Sequence, residues 1–167
     1  MVKTAHLRLL LHASEKGILR GEVLAYKLGV HVNTIRKYLK LLEKEGMIVP
    51  SGIDEYSLTE KGKKFLESLK KVAAQKPKPH IVVNPTTGEK IPLVISNYEQ
   101  LYAVLKYGLI PREVIEEYIR RGLLAKWIRE EVGDEYLAEL LETGSISKPE
   151  ELLEYLDKVI NLLRELK

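Results

Sequence analysis

Apolar residues recur at helical spacing through most of the chain and give way to short strand-like runs in two places, and that change of period lays out the elements. Leu7, Leu10 and Leu11 within Val2 to Glu15 predict a first helix that ends near Gly17. Ile18 opens a short connection, and Gly21 to Lys27 predicts a second helix that buries Val23, Leu24 and Leu28 before Gly29 turns the chain. Beyond Val30, Ile35, Leu39 and Leu42 stand at i, i+4 and i+7, which predicts a third helix running to about Glu45 and stopped by Gly46. MIVP, the polar turn SGID and EYSLT then read as two short strands of a hairpin. Thr59 is placed to cap a fourth helix, whose apolar face is Phe65, Leu66, Leu69, Val72 and Ala73.

In AAQKPKPH, Pro77 and Pro79 cannot continue a helix, so a linker is expected at 76–79 between a domain at 1–75 and another at 80–167. The second half opens with HIVVN, PTTG and EKIPLVI, a hairpin turned at Gly88, with Pro92 holding its strand at a sheet edge. Everything after it is patterned as helix. Asn97 with Gln100 forms a capping box for a helix to about Tyr107, and Pro111 starts another that Gly122 ends. Two short helices follow, Leu123 to Val132 and Asp134 to Glu142. A last one, Ser147 to Leu166, has a Ser147/Glu150 capping box and a seam of Leu152, Leu156, Val159, Leu163 and Leu166. The fold class expected is mainly α with small β-hairpins.

Composition narrows the function. With 45% hydrophobic residues over 167 positions the chain has material for real cores, and the absence of Cys excludes a disulfide framework and a zinc finger. His6, His12, His31 and His80 are too scattered to suggest a metal site, so no metal and no cofactor are expected. MVKTAHLRLL shows no signal-peptide pattern and no stretch approaches the length a bilayer requires, so a soluble, cytoplasmic protein with no membrane partner is expected. The Lys/Glu-rich composition, with two Gln and four Asn, fits a thermophile. The net charge of +3 hides an asymmetry: residues 1–78 carry 16 Lys and Arg against 8 Asp and Glu, a net +8, and residues 79–167 carry 11 against 16, a net −5. Only the first half is suited to a polyanion.

Helix, helix, glycine turn, helix, hairpin, helix is the order of a winged helix-turn-helix. Through LAYKLGVHVNTIRKYLKLLEKEGMI and YSLTEKGKKFL, residues 5–72 resemble prokaryotic, archaeal-type winged helix-turn-helix transcriptional regulators. The resemblance implies sequence-specific binding of double-stranded DNA, with the helix at 31–45 as recognition helix and a homodimer matching a two-fold operator. With Ile35, Leu39 and Leu42 inward, Asn33, Arg36, Lys37 and Lys40 face outward, and Val32 stands at the edge of the helix N-terminus, where the resemblance implies that a major groove is met. Arg36 is placed to fork onto guanine and Asn33 onto adenine, while Thr34, Lys37 and Lys40 suit phosphates. An ordinary solvated helix face is the competing reading of these charges.

Three positions depart from the family pattern. His31 stands where a Ser or Thr would cap the recognition helix, either as a phosphate contact or as an exposed residue without a role. Arg20 replaces a small capping residue before the second helix and reads as a phosphate ligand, at some cost in helix stability. The wing carries Asp54 and Glu55 and no cation, so little DNA affinity is expected from it. Leu41, where a polar residue is common, is expected to be covered by protein.

The second half shows no nucleophile–base pattern, and TTGEK lacks the spacing of a phosphate loop, so no enzymatic activity is expected. Trp127, the one tryptophan, follows Leu123 and Leu124 at helical spacing and reads as core, with a ligand stack as the alternative. WIREEVGDEYLAELL and the Leu-rich helix after it weakly resemble a small helical domain of prokaryotic proteins with no assigned activity, over about 95–167. Its expected roles are dimerisation, a small-molecule effector pocket or a protein partner. The alternatives to a regulator are a winged-helix protein-interaction adaptor and an accessory factor of DNA replication or repair.

Overall fold

The computed structural model describes residues 2–166. They fall into two compact units divided between Glu67 and Ser68, so the division lies upstream of the proline segment, inside a helix.

In the first unit α1 (Thr4–Leu7) passes directly into a 3₁₀ turn (Arg8–His12), two short pieces where one helix was expected. Leu7, Leu9 and Leu10 are all buried, a wider arc than one α-helical stripe covers, and the tightened turn brings Leu10 back over Leu7. Ile18–Arg20 is a strand, β1, where a plain connection was expected; at three residues it is too short for alternation to show. It pairs antiparallel with β3 (Glu55–Leu58), which pairs in turn with β2 (Ile48–Gly52), giving the order β1-β3-β2.

Between β1 and β2 lie α2 (Gly21–Leu28) and α3 (Val32–Lys44), joined through Gly29 in the left-handed region at φ 63°. Ile35, Leu39 and Leu42 are completely buried, as their spacing predicts, and Leu19, Leu24 and Ile48 meet them in the core. On α2, Gly21 and Leu24 are buried. Val23 is 45% exposed and Leu28 half-buried, where burial was expected. Leu41 is likewise open, at 36% exposure, where cover was expected.

The wing leads into α4 (Glu60–Ala74), which Thr59 caps as predicted: its Oγ1 accepts the Gly62 N–H at 3.1 Å and donates to the Gly46 carbonyl at 2.6 Å. Phe65, Leu66 and Leu69 are buried, whereas Val72 is half-buried and Ala73 exposed, so the apolar face fades toward the helix end.

The second unit takes in the end of α4 from Ser68 and then the predicted hairpin, β4 (His80–Val83) with β5 (Lys90–Ile95), followed by α5 (Tyr98–Lys106), α6 (Arg112–Arg120) and α7 (Leu123–Trp127). The chain then makes one π-helical turn (Ile128–Val132), α8 (Glu135–Glu142) and α9 (Pro149–Glu165). α5 and α6 pack on α9, and α7 on α8. Asn97 caps α5 as predicted, accepting the Gln100 N–H at 2.8 Å, although the Gln100 side chain reaches Ser96 N and not Asn97.

On α9 the box is shifted by one residue. The helix starts at Pro149, so its third position is Glu151, which accepts Ser147 N at 2.8 Å and Lys148 N at 3.2 Å; Glu150 instead pairs with Arg112 of α6. The buried seam is not the expected one. Leu152, Leu156 and Val159 are buried, then Ile160 and Leu162, while Leu163 is half-buried and Leu166, the C-cap beyond the last helical residue, is 40% exposed.

Candidate nucleic-acid interface

Burial of Ile35, Leu39 and Leu42 fixes the rotation of α3, and that rotation leaves Asn33, Arg36, Lys37 and Lys40 exposed at i, i+3, i+4 and i+7. Val32 and Thr34, in the first turn, are half-buried. The helix is therefore apolar on one side and cationic on the other.

His31 has a definite structural job. It occupies the N-cap of α3, and its Nδ1 accepts the backbone N–H of Asn33 at 3.2 Å, doing with imidazole what a Ser hydroxyl does elsewhere. Capping by a ring nitrogen requires the tautomer with hydrogen on Nε2, so an N–H remains at the exposed edge of His31.

The wing is where the expectations change most. Asp54 and Glu55 are not free charges: Glu55 Oε1 receives Arg20 Nε at 3.1 Å, and Asp54 Oδ1 receives Arg36 Nε at 3.1 Å. The hydrogen bond and charge of Asp54 raise the Arg36 guanidinium further above its already high range. Asp54 also answers the absence of a cap at position 20. Arg20 is the N-cap of α2 and supplies no side-chain bond there; Asp54 Oδ2 accepts the Glu22 N–H at 3.1 Å from across the sheet, and its carbonyl accepts Gly21 N at 3.1 Å. The helix stability given up at Arg20 is thus restored by a residue of the wing.

Two backbone features make this approach feasible. A Cβ at Gly21 would stand 2.8 Å from Asp54 Oδ2 and closer still to Oδ1, so a larger residue there would displace the carboxylate. Asp54 itself adopts φ 52°, the one described non-glycine residue in the left-handed region, a conformation Asp tolerates better than most. Sequence reading missed Asp54 as a partner of the recognition helix. The signal present was two acids in a short wing and two arginines, Arg20 and Arg36, without acidic neighbours at helical spacing, but 18 and 35 residues of separation concealed the pairing.

The second unit holds a smaller feature of interest. His80, Val82, Leu101, Val114, Leu124 and Trp127 line an apolar cavity of about 40 Å³. Trp127 is 8% exposed, in the core as its spacing indicated, and its Nε1 is a buried donor with no hydrogen-bond partner among the described residues. Tyr118 Oη ties the hairpin down, donating to Val83 O at 2.8 Å and accepting Val83 N at 2.9 Å. Burial lowers the affinity of His80 for a proton.

Among the described residues no helix is long and apolar enough to cross a membrane. No curated protein and no solved structure matches the chain. The helix order, the glycine turn and the three-stranded wing sheet agree with a family match over part of the chain: residues 9–76 fit a model described as winged helix-turn-helix, so this part of the protein is a winged helix-turn-helix segment, a fold that suggests DNA binding.

Proposed function

We propose that the protein is a transcriptional regulator that binds double-stranded DNA in a sequence-specific manner through α3, with Asn33 and Arg36 at base edges and Thr34, Lys37 and Lys40 at phosphates. The observation that carries this is the two-sidedness of α3: Ile35, Leu39 and Leu42 wholly buried, Asn33, Arg36, Lys37 and Lys40 exposed, in a winged helix-turn-helix segment. Arg20, paired to the wing, and His31, engaged in the cap, are proposed as further phosphate contacts. We assign residues 1–75 to DNA contact and 80–167 to dimerisation, effector sensing or partner recruitment. With this reading goes the proposal of a cytoplasmic homodimer that reads a two-fold operator.

The test is duplex binding by the full chain at two salt concentrations. Binding that weakens steeply with salt, and at least tenfold on combined Arg36→Ala and Lys37→Ala substitution, is the expected result. No binding at low salt, or indifference to both substitutions, refutes it.

A second reading has its own observation. Ile53 at the wing tip is fully exposed while the carboxylates beside it are paired within the unit, so the wing offers an apolar tip instead of a charge, which suits a protein contact and an adaptor role. An Ile53→Asp variant that binds duplex as well as the wild type but loses a stoichiometric protein partner would favour this reading.

A further inference from the structure

Arg36 approaches Asp54 with one particular edge. Its Nε lies 3.1 Å from Oδ1 and its Nη2 3.5 Å from Oδ2, so the carboxylate covers the Nε side of the guanidinium. A guanidinium has five N–H donors on two usable edges, and the far edge, formed by the two terminal nitrogens, is left for another acceptor pair. The Arg36 side chain as a whole is 46% exposed.

Asp54 is unusually well placed to act as a fixed support. Its carboxylate is held by the Glu22 N–H, its carbonyl by the Gly21 N–H, and its backbone lies in a conformation few residues adopt. An unpaired arginine loses substantial rotamer entropy when it binds a base, and a prior contact removes part of that loss.

We infer that Asp54 is a positioning residue for base recognition: it holds Arg36 by the Nε edge so that the two terminal nitrogens present a preformed fork to the O6 and N7 acceptors of a guanine in the major groove. The inference rests on the DNA-binding reading above. It also accounts for an acidic wing on a basic unit, since Asp54 and Glu55 offset two positive charges that would otherwise strengthen phosphate attraction at every sequence equally.

The test compares the full-length wild type, Asp54→Asn and Glu55→Gln on two duplexes: one selected by the wild type from a random pool, and the same base composition scrambled. Asn keeps an oxygen acceptor for the Glu22 N–H and tolerates the left-handed backbone, and circular dichroism checks that the variant is folded. The expected result is that Asp54→Asn lowers the preference for the selected duplex about tenfold, the order of one bidentate base contact, while affinity for the scrambled duplex is unchanged or tighter. Glu55→Gln should keep the preference. Tighter binding of both duplexes with the preference intact overturns the inference, because Asp54 then only competes with DNA for Arg36. Equal weakening of both, or no change in either, overturns it as well. A wild type that binds duplexes without preference overturns it while leaving DNA binding standing, and one that binds no duplex overturns the DNA reading itself.

Discussion

The α-carbon of Gly62 faces the backbone carbonyl of Met47 so closely that a Cβ there would lie 3.2 Å from the carbonyl carbon and nearer still to its oxygen. That oxygen also accepts the Thr59 N–H at 3.0 Å, so the start of the wing and the start of α4 are joined at one point. The glycine of LTEKG is therefore a packing requirement of the first unit. Unlike a flexible side chain, a backbone carbonyl cannot swing aside, and Gly62→Ala must move α4 or the strand. It should cost about 2 kcal/mol despite the better helix propensity of Ala. Lys61→Ala, which removes an exposed bond from Nζ to Glu45 O at 2.8 Å, should cost well under half of that. Urea denaturation of the full chain distinguishes them; equal effects would show that the close approach carries no cost.

A second prediction concerns Asp134, 2% exposed and the cap of α8. Its Oδ1 accepts Leu137 N at 2.9 Å, and Oδ2 accepts Tyr98 Oη at 2.6 Å and Tyr155 Oη at 3.1 Å. Asp134→Ala strands three donors and should cost about 3 kcal/mol, against about 1 kcal/mol for Tyr98→Phe, which removes one donor and leaves the cap in place. Burial nevertheless raises the proton affinity of the carboxyl above its ordinary value despite these bonds. The folded state therefore favours the protonated form, and the stability arising from Asp134 is greatest at low pH and declines as pH rises from about 3.8 through the folded value. Asp134→Asn should remove this acid-favouring contribution. If the unfolding free energy of the variant follows the same pH curve as the wild type, the assignment is wrong.

These two sites show what the sequence could and could not convey. The inward triad of α3, the Gly29 turn, the wing and the Thr59 cap are local: each is a periodicity or a residue type at a fixed offset, and each was readable. The short strand Ile18–Arg20 was not, because its partner Glu55–Leu58 lies far along the chain and three residues establish no period. The capping box of α9 was misplaced by one residue because the helix start depends on Pro149 and on Arg112 drawing Glu150 away. The outward face of α3 was legible as a surface. What occupies that surface was not, since Arg36 finds its carboxylate 18 residues along the chain, at Asp54 in the wing.

His80 supplies a prediction of opposite sign to that of Asp134. It lies half-buried between Tyr118, at 5.7 Å between rings, and Trp127, at 6.0 Å, and burial pushes its proton affinity down. Between the lowered folded value and the ordinary value of about 6.5, the unfolded chain binds more protons, so stability rises with pH across that window and is lost as pH falls through it. His80→Gln should flatten the dependence. Fluorescence of Trp127, the one tryptophan in the chain, reports the unfolding directly.

The cap at His31 separates stability from DNA contact. His31→Ala removes the acceptor for Asn33 N and should cost about 1 kcal/mol, whereas His31→Ser restores an oxygen acceptor and should recover most of it. His31→Asp is the informative substitution. A carboxylate is a better cap than imidazole and its charge suits the positive end of the α3 dipole, so the fold should gain up to about 1 kcal/mol. Yet it places a negative charge beside Asn33 at the end of the helix proposed to enter the groove, where it would face phosphates. The expected outcome is a more stable protein that binds duplex several-fold more weakly, read by thermal unfolding and by titration at fixed salt. A His31→Asp protein that is more stable and binds duplex as tightly as the wild type would move the DNA away from the N-terminus of α3, and with it the roles given to Val32 and Asn33.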